Sequence, residues 1–265
     1  MSARALFFAV LLGACNATTG SGLVSFIAVA GGPADAAPQL TFDTGSGFHV
    51  TLSRAKLHVA AVYLNQSVPT SGAQESSCVL PGIYVAQAFG PLDLDLLSPA
   101  LVAFPSPGEG TATAAATAEV WLAGNAIDDV DDRTVILDVA GAAQKGSTVW
   151  PFTGSVTIGT NRGIPVQNPA TPGSNPICHQ RIVTPIAVQL VPTEGGQLTM
   201  RIDPRGMWNA VDFSLLTAAD ESSSAPPIYK IPDENGGIGG ALYKGLVSNA
   251  GVYTFAFSAG TGEQK

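Results

Sequence analysis

Gln197-Leu198-Thr199-Met200-Arg201-Ile202-Asp203 carries an apolar side chain at every second position. Leu198, Met200 and Ile202 alternate with Thr199, Arg201 and Asp203. That period of two is the mark of a strand with one buried and one solvated face, since successive side chains leave opposite faces. The alternation recurs at Tyr253, Phe255 and Phe257 against Val252, Thr254 and Ala256, and at Val135, Leu137 and Val139 around Asp138. Further candidate strands cover 23–30, 48–52, 56–64, 82–88, 113–122, 149–158 and 182–191. Clusters of Gly, Pro, Asn and Ser separate them, most densely over 161–176. A helix is predicted over 238–247, where Ile238, Leu242 and Leu246 share one face and Asn249 and Gly251 follow as stop signals. A second short helical piece is expected over 92–101. Ten or more short strands with one or two short helices read as an all-β, antiparallel β-sandwich, one domain over 23–265.

Composition agrees. The chain has 265 residues, 30 of them Gly and 19 Pro; 46% are hydrophobic and only 12% charged. No apolar run reaches the ~20 residues of a spanning helix, which excludes a polytopic helical membrane protein. The net charge is −8 and no Lys/Arg cluster exists, so nucleic acid is not an expected partner. An acidic surface keeps an apolar chain soluble.

Residues 1–14 have the layout of a secretory signal: Arg4, then an apolar run from Ala5 to Leu12 too short to cross a bilayer. The run ends in Leu12-Gly13-Ala14-Cys15, which resembles the lipobox of bacterial lipoproteins. The resemblance implies cleavage before Cys15, a diacylglyceryl thioether on its sulfur, and attachment to a membrane by several acyl chains. Asn16 at the next position implies an outer-membrane destination by the enteric sorting rule. Residues 15–22 then read as a lipidated tether. Ala34-Asp35-Ala36 offers a competing, conventional cleavage site. Cys78 and Cys178 remain as an even pair in an oxidising compartment and are expected to form a disulfide. The stretch Gly47-Phe48-His49-Val50-Thr51-Leu52-Ser53-Arg54-Ala55 resembles one found in uncharacterised all-β envelope lipoproteins, and it carries no functional residue across.

Three motifs suggest chemistry. Asp43-Thr44-Gly45-Ser46 resembles the aspartic-protease signature, but that chemistry needs a second such Asp sharing a proton, and the chain has no other Asp-Thr-Gly or Asp-Ser-Gly. A Gly-rich turn between strands is the reading preferred. Asp128, Asp129, Asp131 and Asp132 could supply hard oxygens to calcium, although the Gly and late acid of a metal loop are missing. His49, His58 and His179, with Met200 and Met207, form a soft-ligand inventory that could suit copper. Trp121, Trp150 and Trp208 read as core. No Gly-x-Ser-x-Gly elbow, phosphate loop or dinucleotide fingerprint occurs. The expectation is a membrane-anchored, non-catalytic binding or structural module without a required cofactor, its protein or small-molecule ligand unidentified. A copper or calcium protein and a hydrolase are the rivals.

Overall fold

The structure is a computed structural model that describes residues 22–67, 82–162, 176–217, 222–223 and 227–260. In chain order these form β1 (Leu23–Gly31), β2 (Leu40–Asp43), β3 (His49–Asn65), β4 (Tyr84–Asp95), β5 (Val102–Ala103), β6 (Gly108–Thr111), β7 (Ala115–Trp121), β8 (Val135–Lys145) and β9 (Thr148–Thr157). Helix α1 (Ile177–Arg181) follows, then β10 (Ile182–Leu190), β11 (Gln197–Ile202), two short 3-10 turns (Pro204–Trp208 and Phe213–Leu215), β12 (Tyr229–Ile231), α2 (Gly237–Leu246) and β13 (Tyr253–Ser258). The fold is all-β with two short α-helices, as the periodicity required. Leu198, Met200 and Ile202 are all buried.

Most strand pairings are antiparallel, but β1 pairs β11 and β12 pairs β9 in parallel, so the sheet is mixed. The continuous path runs β12-β9-β8-β3-β4-β6-β1-β11-β13, with β7 and β10 branching from β3. Strand β3, 17 residues long, is the spine. Its first residues lie between β2 and β8, its middle between β8 and β4, and its end between β4 and β7. Irregularities between Leu52 and Arg54 and between Val59 and Ala61 let one strand serve these neighbours in turn.

The expected helix over 92–101 does not form: 92–95 end β4, and 96–101 are a turn and irregular backbone. Leu92 and Leu94 face inward against Val59 and Leu57, while Asp93 and Asp95 face outward. The Leu-Asp-Leu-Asp alternation outweighs the leucine spacing that suggested a helix. The helix over 238–247 is α2, with Ile238, Leu242 and Leu246 buried. One contiguous core joins Val50, Leu52, Leu57 and Leu64 of β3 to Phe48, Phe152, Met207, Trp208 and Phe213. Trp208 and Phe213 stack with ring centroids 5.6 Å apart. Trp208 is thus core as expected, whereas Trp150 is half-buried and packs edge-on against Phe48.

Strand β1 precedes Ala34-Asp35-Ala36 in the chain. It pairs with β5, β6 and β11 and buries Phe26, Ala28, Val29 and Ala30. Cleavage after Ala36 would remove this strand from the middle of the sheet path, a loss of core that a cut before Cys15 avoids.

Candidate functional site

Alternation along β3 sends Val50, Leu52, Leu57, Val62 and Leu64 to the core. His49, Thr51, Arg54, Lys56, His58, Tyr63 and Asn65 go to the opposite face. That face is charged in its first half and aromatic in its second.

In the charged half His49, Arg54 and His58 each meet a carboxylate on a flanking strand. His49 Nδ1 lies 2.8 Å from Asp43 Oδ1, its cross-strand partner on β2. Arg54 grips Asp138 of β8 with two contacts, Nε to Oδ2 and Nη2 to Oδ1, each 2.9 Å. Lys56 stands opposite Asp95, and His58 opposite Asp93, with Nδ1 of His58 2.7 Å from Asp93 Oδ1. A groove of about 500 Å³ opens here, lined by Lys56, His58, Asp93, Asp95, Val135 and Asp138. His58 Nε2 is buried and without a hydrogen-bond partner among the described residues. An imidazole oriented by a carboxylate can accept a proton, but among the described residues no Ser, Thr or Cys lines the groove to act as its nucleophile.

In the aromatic half, Tyr63 sits among three rings: Trp121 of β7 at 4.5 Å, Tyr84 of β4 at 5.2 Å and Phe89 of β4 at 5.8 Å between centroids. Tyr63 stands opposite Glu119 across the β3–β7 pairing. The Glu119 carboxylate is fully buried and accepts from Asn65 Nδ2 at 3.0 Å, from Trp121 Nε1 at 3.2 Å and from the Tyr84 hydroxyl. Burial pushes Glu119 above the usual carboxylate range, and these three donors only partly offset it. Asn65 Oδ1 is buried and unpartnered among the described residues. Phe89 and Tyr84 are 45% and 43% exposed. Apolar rings on the face away from the core are the less ordinary arrangement.

The motifs singled out in the sequence mostly find structural partners. Asp43 ends β2 with its side chain exposed, and Thr44 and Gly47 close the turn to β3. Thr44 Oγ1 accepts the Phe48 N–H at 3.1 Å, and Gly47 takes φ +80°, a conformation suited to glycine. The Asp-Thr-Gly stretch is therefore a hairpin turn. His49 and His58 are nine positions apart on one strand, roughly 30 Å at strand rise, and the structure does not bring them together. His179 lies on α1, while Met200 and Met207 are buried in the core. Among the described residues, no three His, Cys, Asp or Glu side chains converge on a metal position.

Asp132 turns inward rather than toward an ion. Its oxygens accept the backbone N–H groups of Gly124, Asn125 and Thr134 at 2.8–3.2 Å. Burial pushes its pKa up, yet these amides together with the Thr134 hydroxyl outweigh burial and bring it to about 2. Its Oδ2 also lies 3.9 Å from Nη2 of Arg181, which is fully buried and donates to the carbonyls of Ile158, Ala126 and Ile127. Burial lowers the pKa of Arg181, and the charges of Asp132, Asp129 and Asp128 oppose that loss. The acidic run thus supplies counter-charge to a buried guanidinium.

Cys15 and Cys78 lie outside the described residues. Cys178 is buried in α1 and disulfide-bonded. Sequence reasoning missed Tyr63, Glu119 and Asn65; the alternation of Thr117, Glu119 and Trp121 with Ala118 and Val120 was the available signal. Comparison with known protein families, with curated proteins and with solved structures returns no match to this chain.

Proposed function

We propose that this chain is an envelope lipoprotein, held on a membrane through acylated Cys15, whose β-sandwich is a non-catalytic binding module. Cys78 is the proposed disulfide partner of Cys178. The ligand face is the side of β3 away from the core, and the observation that carries this assignment is the part-exposed ring cluster of Tyr63, Tyr84, Phe89 and Trp121. Aromatic faces stack on flat or ring-shaped ligands, and the adjoining groove at Lys56, His58, Asp93 and Asp95 offers donors and acceptors for orientation.

Two measurements test the two halves of this reading. Titration with soluble oligosaccharides and with aromatic-rich peptides, followed by NMR, is expected to shift resonances of Tyr63, Tyr84, Phe89 and Trp121 first. Tyr84→Ser with Phe89→Ser should weaken that response about tenfold or more, a loss of ~1–3 kcal/mol of stacking. Shifts confined to other surfaces would refute the ligand face. Separately, Cys15→Ser is expected to move the protein from the membrane to the soluble fraction, and unchanged membrane association would refute the anchor.

A further inference from the structure

The end of the sandwich where β1 enters is built differently from the rest of the surface. Leu23 stands opposite Thr111 of β6, and the Gly22 carbonyl accepts the Ala112 N–H. Gly110 of β6 stands opposite Ala86 of β4, whose strand begins at Tyr84 opposite Asn65, and Gln66 N–H donates to the Ile83 carbonyl. Asn65 stands opposite Thr117 of β7, whose first residue, Ala115, stands opposite Leu190 of β10. The loop after β10 returns to β1, where Gly195 N–H donates to the Ser25 carbonyl. These contacts gather segments 22–25, 65–67, 82–87, 109–117, 189–197 and 256–260 at one end.

Those segments hold two charged residues, Glu109 and Glu194, and no Lys or Arg. Glu194 is tied sideways, its Oε2 accepting the Ser25 N–H at 2.8 Å. Large apolar side chains stand exposed among them: Leu23 at 88%, Ile83 at 60% and Val191 at 45%. A cavity of about 820 Å³ opens beside them, lined by Leu190, Val191, Phe255, Phe257 and alanines of β7 and β13. The other end of β3 carries Asp43, His49 and Lys145, with Lys145 Nζ donating to the Ser46 carbonyl.

We infer that this end, which carries no Lys or Arg among its described residues, is a docking surface for the bilayer to which the chain is anchored. The inference rests on the acylation of Cys15 proposed above. Seven residue steps separate Cys15 from Gly22, a reach of at most about 25 Å, so the tether delivers this end to the lipid surface first. Exposed aliphatic side chains bury their area in the interface. The absence of cations from these segments makes the preferred surface a zwitterionic one, with contact insensitive to salt.

The test uses the full mature chain isolated from membranes and reconstituted into phosphatidylcholine–phosphatidylethanolamine vesicles, with or without brominated acyl chains. Ile83→Trp places a reporter at the docking end, and Ser147→Trp places one in the turn between β8 and β9. Brominated lipid is expected to quench the added emission of Ile83→Trp and to leave that of Ser147→Trp unchanged. Adding Leu23→Asp and Val191→Asp, both at exposed positions, should weaken the contact about tenfold per aliphatic side chain replaced. Equal quenching at 83 and 147, or quenching at 147 alone, overturns the docking. Intact mass of the same sample reports the acyl groups on Cys15. An acylated protein without contact at 83 overturns the docking alone, and an unacylated N-terminus overturns the anchor.

Discussion

Around Arg181 the chain buries charge, and at the end where β1 enters the described residues carry two carboxylates and no cation. Arg181 holds the loops at 126–127 and 158 by their carbonyls, with Asp132 capping the amides of 124, 125 and 134. Arg162 does the same nearby, donating to the carbonyl of Glu234 and the carboxylate of Asp233 while lying over the Tyr243 ring. With only 12 Lys and Arg in 265 residues, two fully buried cations are a substantial commitment. Their partners are mainly backbone carbonyls of irregular segments, groups that burial would otherwise leave unsatisfied. The described residues of the entry end offer exposed aliphatics instead. The contrast teaches that charge here stabilises loops inside the fold, while its absence marks the surface meant for an apolar neighbour.

Arg181→Met should show the largest effect. It leaves three carbonyls without their donor and the buried Asp132 without its counter-charge, and a loss of about 3–5 kcal/mol in denaturant unfolding is expected. A loss below about 1 kcal/mol would mean that the loops do not depend on the guanidinium, and the comparison would break.

Asp132→Asn should come next. The folded pKa of about 2 lies below the ordinary carboxylate value of 3.8, so the carboxylate contributes stability above pH 4 that is lost as pH falls from about 4 to about 2. A shift of this size corresponds to about 2 kcal/mol at neutral pH. The variant should therefore be weaker by that amount at pH 7 and equal to the parent near pH 2. A constant difference across that range would contradict the amide-cap account.

Glu119→Gln should change less, within about 1 kcal/mol at pH 7, because a neutral isostere removes the desolvation of a carboxylate while keeping an acceptor. The pH sign is opposite to that of Asp132. Glu119 is raised by burial, so the parent gains stability as pH falls through that raised value, and the variant should lack the gain. Smallest of all, Leu23→Ser with Val191→Ser should leave unfolding free energy within about 0.5 kcal/mol, since both side chains face solvent. A larger loss would show that the entry end is core rather than surface.

The alternation at Leu198, Met200 and Ile202 was legible because one face is buried and the other wet, the condition that writes a period of two. The same rule was present at Leu92-Asp93-Leu94-Asp95, where leucines three and four apart also fit a helix and pairing with β3 decides. The parallel pairing of β1 with β11 left no trace in the sequence, since parallel partners meet only through long-range packing. Arg181 was equally silent, because it binds main-chain carbonyls that have no residue signature. Asp128–Asp132 was visible as charge, but its role depends on that distant guanidinium. Of the candidate ligand face, the histidines drew notice by type. Tyr63 and Glu119 become neighbours only when β3 pairs with β7.

The proposed anchor underlies the proposed orientation of the entry end. Mass spectrometry of the mature N-terminal peptide tests it most directly. The account predicts a chain that begins at Cys15 with acyl groups on its sulfur and amino nitrogen. A mature chain beginning at Ala37, or an unmodified Cys15, would contradict it.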